Sequence, residues 1–156
     1  MKVLLVDDHA IVRDGLRRLL ATLGGEEVGD AADGREALAL ARSTRPNLAI
    51  VDLNLPGLGG LELIRRLAQD APETRILVLS MHAEPLYVTR AMDAGAHGYL
   101  SKNVAPEELL AAVRNVAAGG RYVEGEVAQA LAVPAAEAYA PIGKPSPPDL
   151  EMLRLL

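Results

Sequence analysis

The 156-residue chain contains no cysteine, which excludes disulfide bonds, thiolate nucleophiles and cysteine-bound metals. It has no phenylalanine or tryptophan and only four tyrosines, so its core must be built from Leu, Val, Ile and Ala. A basic surplus is also missing. The 16 Lys and Arg stand against 21 Asp and Glu, a formal charge of −5, whereas a surface that lives on phosphate contacts carries the opposite sign. Nucleic-acid binding by these residues alone is therefore not expected. Nor is there a long apolar run. Lys2 is followed by only four apolar residues before Asp7, too few for a signal peptide, and no run approaches the ~20 residues of a membrane span. The expected location is the cytoplasm, with no membrane partner.

What is present is a regular alternation. Short apolar runs at Val3–Val6, Leu48–Val51 and Ile76–Leu79, with weaker ones near Val28 and at Tyr99-Leu100, lack the in/out pattern of a half-exposed strand. They read as strands buried on both faces. Between them lie stripes of helical period. One runs through Val12, Leu16, Leu19, Leu20 and Leu23 to Gly24-Gly25, and another through Leu61, Ile64 and Leu67. A last stripe, from Leu109 to Ala117, follows Pro106 and stops at Gly119-Gly120. Five strands alternating with five helices predict a doubly wound parallel sheet, (βα)5, over residues 1–120. From Arg121 the pattern decays. Glu126–Leu131 has the look of a short helix, and the cluster Pro134, Pro141, Pro145, Pro147 and Pro148 reads as a linker, placed at 121–147.

The polar residues fall where the strands stop. The first run ends in Asp7-Asp8, the next long one in Asp52, the next in Ser80, and the last in Ser101-Lys102. Ligands of open parallel sheets bind outside the carboxyl ends of the strands, so this topology would collect three carboxylates, a hydroxyl and an amine at one place. Singly, each has an ordinary explanation: an aspartate after a strand is often a turn residue or helix cap, and a lysine a solvated charge. Together they suit phosphoryl chemistry. Clustered carboxylates need a cation, and a hard divalent ion such as Mg²⁺ takes one or two of them and keeps several waters. Lys102 supplies a second positive charge, for Asp52 or for a phosphoryl oxygen. Asp52 is the candidate nucleophile toward a phosphoryl donor, with Ser80 as hydrogen-bond donor to the transferred group. Tyr99 is equally readable as a packed aromatic at a strand edge and as a switching residue. His9, His82 and His97 read as non-ligands, because a hard oxygen site does not favour imidazole.

The stretches VLLVDDH, LAIVDLNLPGLGG, ILVLSMHAE and AGAHGYLSK closely resemble the receiver domain of two-component response regulators, and more narrowly the NarL/FixJ branch. That resemblance implies a flavodoxin-like fold, with Asp52 phosphorylated by a sensor histidine kinase. It makes Asp8 a direct Mg²⁺ ligand, Asp7 an orienting or water-mediated one, and the Asn54 carbonyl the last protein ligand. Ser80 and Lys102 would contact the phosphoryl group, and Tyr99 matches the aromatic that changes rotamer on activation. The sequence departs from the wider pattern in three places. Gly59-Gly60 replaces the usual Asp-Gly, which predicts a looser loop. Asn103 replaces a proline, as is common in the NarL branch, and Met81 replaces a small residue, which bears on phosphoryl lifetime.

Function classes other than a phosphorylated receiver follow from the same residues. A metal-dependent phosphohydrolase using an aspartyl phosphate would want a carboxylate two residues after Asp52, where Asn54 stands. A stand-alone receiver would act through protein contacts, homodimerisation among them. The ending SPPDLEMLRLL resembles the start of a LuxR-type helix-turn-helix domain, placed at 148–156. By that reading DNA is a partner only through a domain missing from this chain, since a recognition helix and its support need more residues than follow.

Overall fold

In a computed structural model of the chain, residues 1–24, 26–55, 57–81 and 84–124 are described. Along them run β1 (Lys2–Val6), α1 (Ala10–Ala21), β2 (Glu26–Ala31), α2 (Gly34–Thr44), β3 (Leu48–Asp52) and α3 (Gly60–Asp70). They continue with β4 (Arg75–Ser80), α4 (Pro85–Ala94), β5 (Gly98–Ser101), α5 (Pro106–Ala117) and β6 (Tyr122–Val123). The strands make one sheet in the order β2-β1-β3-β4-β5-β6, every adjacent pair parallel. This is the doubly wound arrangement expected, with one addition. The sheet carries a sixth strand of two residues beyond position 120, too short to show a period in sequence. His82, the suggested helix at Glu126–Leu131, the proline-rich linker and the segment 148–156 lie outside the described residues.

The strands form because their apolar runs can be covered from both sides. Leu4, Val6, Ala49, Val51, Ile76 and Val78 pack with buried residues of α2, α3 and α4. Val3, Leu5, Leu48, Ile50, Leu77 and Leu79 pack with those of α1 and α5. Alternate residues of each strand serve opposite layers, so none of these strands can show a polar side. The helices have local start signals. Asp33 caps α2 by accepting from the Glu36 N–H at 2.9 Å, and Glu36 reaches back to the Ala32 N–H at 3.2 Å. Proline opens α4 and α5, where its missing N–H costs nothing.

Register then levels the strand ends. Val6 pairs with Val51, so Asp7 and Asp52 leave neighbouring strands side by side. Asp52 pairs with Leu79, and Ser80 with Ser101. Chain order reverses between β1 and β3, and that crevice is where a ligand fits.

In the loop after β3, Gly60 is the sterically constrained position, whereas Gly59, at φ +83°, has open space around it. Gly60 N–H donates to the Leu53 carbonyl at 3.2 Å. A Cβ on Gly60 would lie 2.5 Å from Leu53 Cα and 2.7 Å from its carbonyl oxygen, so only glycine fits. Gly57, at φ +74°, has open space around it. Gly60→Ala is therefore expected to cost about 2–4 kcal/mol in urea denaturation, against about 1 kcal/mol for Gly57→Ala.

At the opposite end of the sheet, His97 acts as a piece of the ladder. Its Nδ1 accepts from the Ile76 N–H at 3.0 Å while its own N–H donates to the Ile76 carbonyl at 2.8 Å. Burial first, then Arg75 and Arg121, push its pKa down to about 4. The folded state thus resists a proton that the unfolded chain accepts below pH 6.5. This stability is complete above that pH and is lost as pH falls through the folded pKa. Wild type should lose on the order of 1–2 kcal/mol more than His97→Asn between pH 6.5 and 4, read by denaturant titration at each pH.

Candidate phosphoacceptor and metal site

Each member of the site is delivered by a strand end. Asp7 follows β1 and is held there by its N–H on the Ala31 carbonyl at 3.0 Å. Asp52 ends β3, and its Oδ1 accepts from the Asn54 N–H at 3.1 Å, the Asx turn that starts the following loop. Both carboxylates are nearly sealed, with side chains 4% and 2% exposed. Asp8 is open to solvent. Lys102, one residue beyond β5, reaches back across the crevice. Its Nζ lies 2.9 Å from Asp7 Oδ2 and 3.0 Å from Asp52 Oδ2.

The electrostatics follow from this bridge. Burial alone would push the Asp7 carboxyl up. Hydrogen bonds from Lys102 and from the His9 main chain and ring outweigh it and hold Asp7 below its ordinary value. Burial would lower the Lys102 ammonium, and the bonds to Asp7 and Asp52 reverse that, raising it. Both shifts favour the charged pair near neutral pH. The Lys102 contribution persists until pH rises past the ordinary lysine value, and the Asp7 contribution until pH falls below the ordinary aspartate value.

Asp7, Asp8, Asp52 and His9 place one ligand atom each within 4.8 Å of one another, an acidic pocket able to take a metal ion. Its donors are mainly hard oxygens, the ligand type that a magnesium-class ion takes, and Asp8 leaves the pocket open to solvent on one side. Ser80 lies at the same strand level but is fully buried. Its side chain is hydrogen-bonded to the Tyr99 phenol. Tyr99 is fully buried too. Burial raises its pKa, the Ser80 bond opposes this, and Glu84, Tyr87 and Asp52 add to the rise. Asn54 is exposed, and Met81, the residue after Ser80, is 62% exposed.

Four residues that the strand-end pattern does not single out lie in or beside this cluster. His9, read from sequence as a non-ligand, has its Nδ1 3.0 Å from Asp7 Oδ1 and 2.9 Å from Asp8 Oδ1. Arg13, on the first turn of α1, donates to the Asp7 carbonyl and pairs through Nε with Asp30 at 2.9 Å. Asp30 lies near the end of β2, so strand-end carboxylates were the signal that would have led to this pair. Glu124 is a buried carboxylate beside Ser101.

Comparison with known proteins agrees with this geometry. The family model of the response regulator receiver domain matches residues 3–114. The chain belongs to that family. Among curated relatives of this receiver, the response regulator GacA of Pseudomonas aeruginosa is 42% identical over 134 residues, 85% of this chain and 63% of GacA. The receiver chain thus spans a little under two thirds of that relative. A two-component response regulator of the LuxR family from Aurantimonas sp. SI85-9A1 superposes with a TM-score of 0.83 at 41% identity, covering 87% of this chain and 98% of that one. The isolated REC domain of RcsB from Salmonella enterica serovar Typhimurium, solved in the presence of phosphomimetic BeF3⁻, gives 0.79 at 27% identity, covering 84% and 98%. No helix among the described residues is long and apolar enough to cross a membrane.

The bridge has a measurable consequence. Lys102→Met leaves buried Asp7 and Asp52 facing each other without their cation. The variant should lose about 2–4 kcal/mol at pH 7 by urea denaturation, and its acid-unfolding midpoint should move to higher pH.

Proposed function

We propose that this receiver is phosphorylated on Asp52 in a Mg²⁺-dependent reaction by a sensor histidine kinase. The observation that carries the reading is the bridge of Lys102 between Asp7 and Asp52, with Asp8 in the same carboxylate cluster. In the transfer, an Asp52 carboxylate oxygen attacks the phosphorus of a phosphohistidine or acyl phosphate. An O–P bond forms, the donor's P–N or P–O bond breaks, and the electron pair leaves on the imidazole or carboxylate. Asp8, Asp52 and the Asn54 carbonyl would hold the metal, with Asp7 orienting it. The bound metal would supply charge to the equatorial oxygens of the transferred group. Lys102 would shift from Asp52 to a phosphoryl oxygen, and Ser80 would exchange the Tyr99 phenol for another. The receiver then catalyses only its own modification and slow dephosphorylation. Asn54, which has no acid–base capacity, speaks against a phosphohydrolase.

Phosphorylation would bias two conformations of the surface between Ser80 and α5. The output we infer is control of transcription through dimerisation and a DNA-binding domain. In this scheme the receiver occupies 1–120, a linker 121–147, and a LuxR-type domain starts at 148. Incubation with acetyl phosphate and Mg²⁺ should add one phosphoryl group to wild type by intact mass, and none to Asp52→Asn. Equal labelling of the variant, or no labelling of wild type with either acetyl phosphate or beryllofluoride, overturns the proposal.

A further inference from the structure

Glu124 is a buried carboxylate with no part in the chemistry above. It follows β6, and its main-chain N–H continues the ladder by donating to the Tyr99 carbonyl at 3.1 Å. The next donor along β5 is the Ser101 N–H. A side-chain oxygen takes it: Glu124 Oε1 lies 2.6 Å from that nitrogen, and Oε2 lies 3.4 Å from Ser101 Oγ. One residue therefore grips β5 twice, once at Tyr99 and once at Ser101. Those two positions bracket the strand end that carries the Ser80 partner and delivers Lys102. The grip is anchored from outside as well. Tyr122 N–H donates to the His97 carbonyl at 3.1 Å, and the Tyr122 hydroxyl donates to Glu108 of α5 at 2.9 Å.

A carboxylate in this place differs from a main-chain carbonyl in one respect. It closes the ladder on Ser101 without requiring the backbone after Glu124 to run on beside β5. We propose that Glu124 is a positioning residue for Lys102: by holding the Ser101 N–H and hydroxyl it fixes the β5 corner from which Lys102 reaches Asp7 and Asp52. This rests on the phosphoacceptor reading. When Lys102 is drawn onto a phosphoryl group, the Ser101–Lys102 corner is held more firmly, and the Glu124 grip and the short β6 ladder become firmer with it.

The test compares wild type, Glu124→Ala and Glu124→Gln in the full chain. Gln keeps an oxygen acceptor for the Ser101 N–H, whereas Ala leaves it unsatisfied. Acetyl phosphate labelling of Glu124→Ala should slow roughly tenfold, and Glu124→Gln should recover most of the rate. Amide exchange at Tyr122 and Glu124 should slow at least about threefold on adding beryllofluoride and Mg²⁺ to wild type, and this response should vanish in Glu124→Ala. If Glu124→Ala proves unfolded by circular dichroism, Glu124→Gln together with Ser101→Pro, which removes the N–H, decides the matter: both at the wild-type rate and response overturn the proposal. So does a folded Glu124→Ala that labels at the wild-type rate with an intact exchange response. Either result leaves the phosphoacceptor reading standing, whereas failure of wild type to label at all would sink that reading instead.

Discussion

A lysine ammonium lying between two sealed carboxylates is the interaction on which the rest of this molecule is arranged. Asp7 and Asp52 are brought level by the β1–β3 register and are almost wholly removed from water. Left alone they would repel, and one would take up a proton. Lys102 meets both from the far side of the crevice, which requires β5, two strands from β3 and three from β1, to end at the right height. The same placement leaves Asp8 open and gives the pocket a wet side and a dry side. The Lys102 ammonium lies on the dry side.

Placement of three strand ends at one level rests on how the sheet is packed. The central strands are covered on one face by α2, α3 and α4 and on the other by α1 and α5, with aliphatic side chains apart from the buried Tyr99, the one aromatic that the expected all-aliphatic core did not include. The lack of Phe and Trp suits this, since small branched residues fill both layers without the offsets large rings impose. Local devices then finish the corners. Gly60 lets the loop after β3 fold against Leu53, Arg13 holds the Asp7 carbonyl, and Arg75 ties the end of α5 to β4 through the Val116 carbonyl at 3.0 Å. On the other flank, the buried Ser80–Tyr99 pair links the site to α4, whose first turn exposes Leu86 and Tyr87.

Much of the site was legible because a parallel sheet converts sequence position into spatial position. A polar residue directly after a buried apolar run must emerge at the carboxyl end of a strand, and four such runs named Asp7, Asp8, Asp52, Ser80 and Lys102. The residues that escaped notice are those whose role depends on reach or on weak local pattern. Arg13 sits inside a helical stripe like any surface arginine, and only its guanidinium's path back to Asp7 and Asp30 makes it part of the corner. His9 was judged by ligand softness, which says nothing of a ring placed within hydrogen-bond range of two carboxylates. Glu124 follows a two-residue strand that has no period to read.

The sequence by itself determined the class of the fold, the order of its elements and the identities of the phosphoacceptor candidates, because burial on both faces and strand-end placement leave periodic marks. Only the tertiary structure decided the pairings. Lys102 lies 95 residues from Asp7 and 50 from Asp52, and no local rule specifies a contact over that separation. Nor did any local rule specify that Ser80 would lie against Tyr99, that Gly60 must have no side chain, or that the sheet would continue to a sixth strand followed by a buried glutamate. Those follow from register, helix placement and the few ångströms left between packed layers, which are properties of the folded chain as a whole.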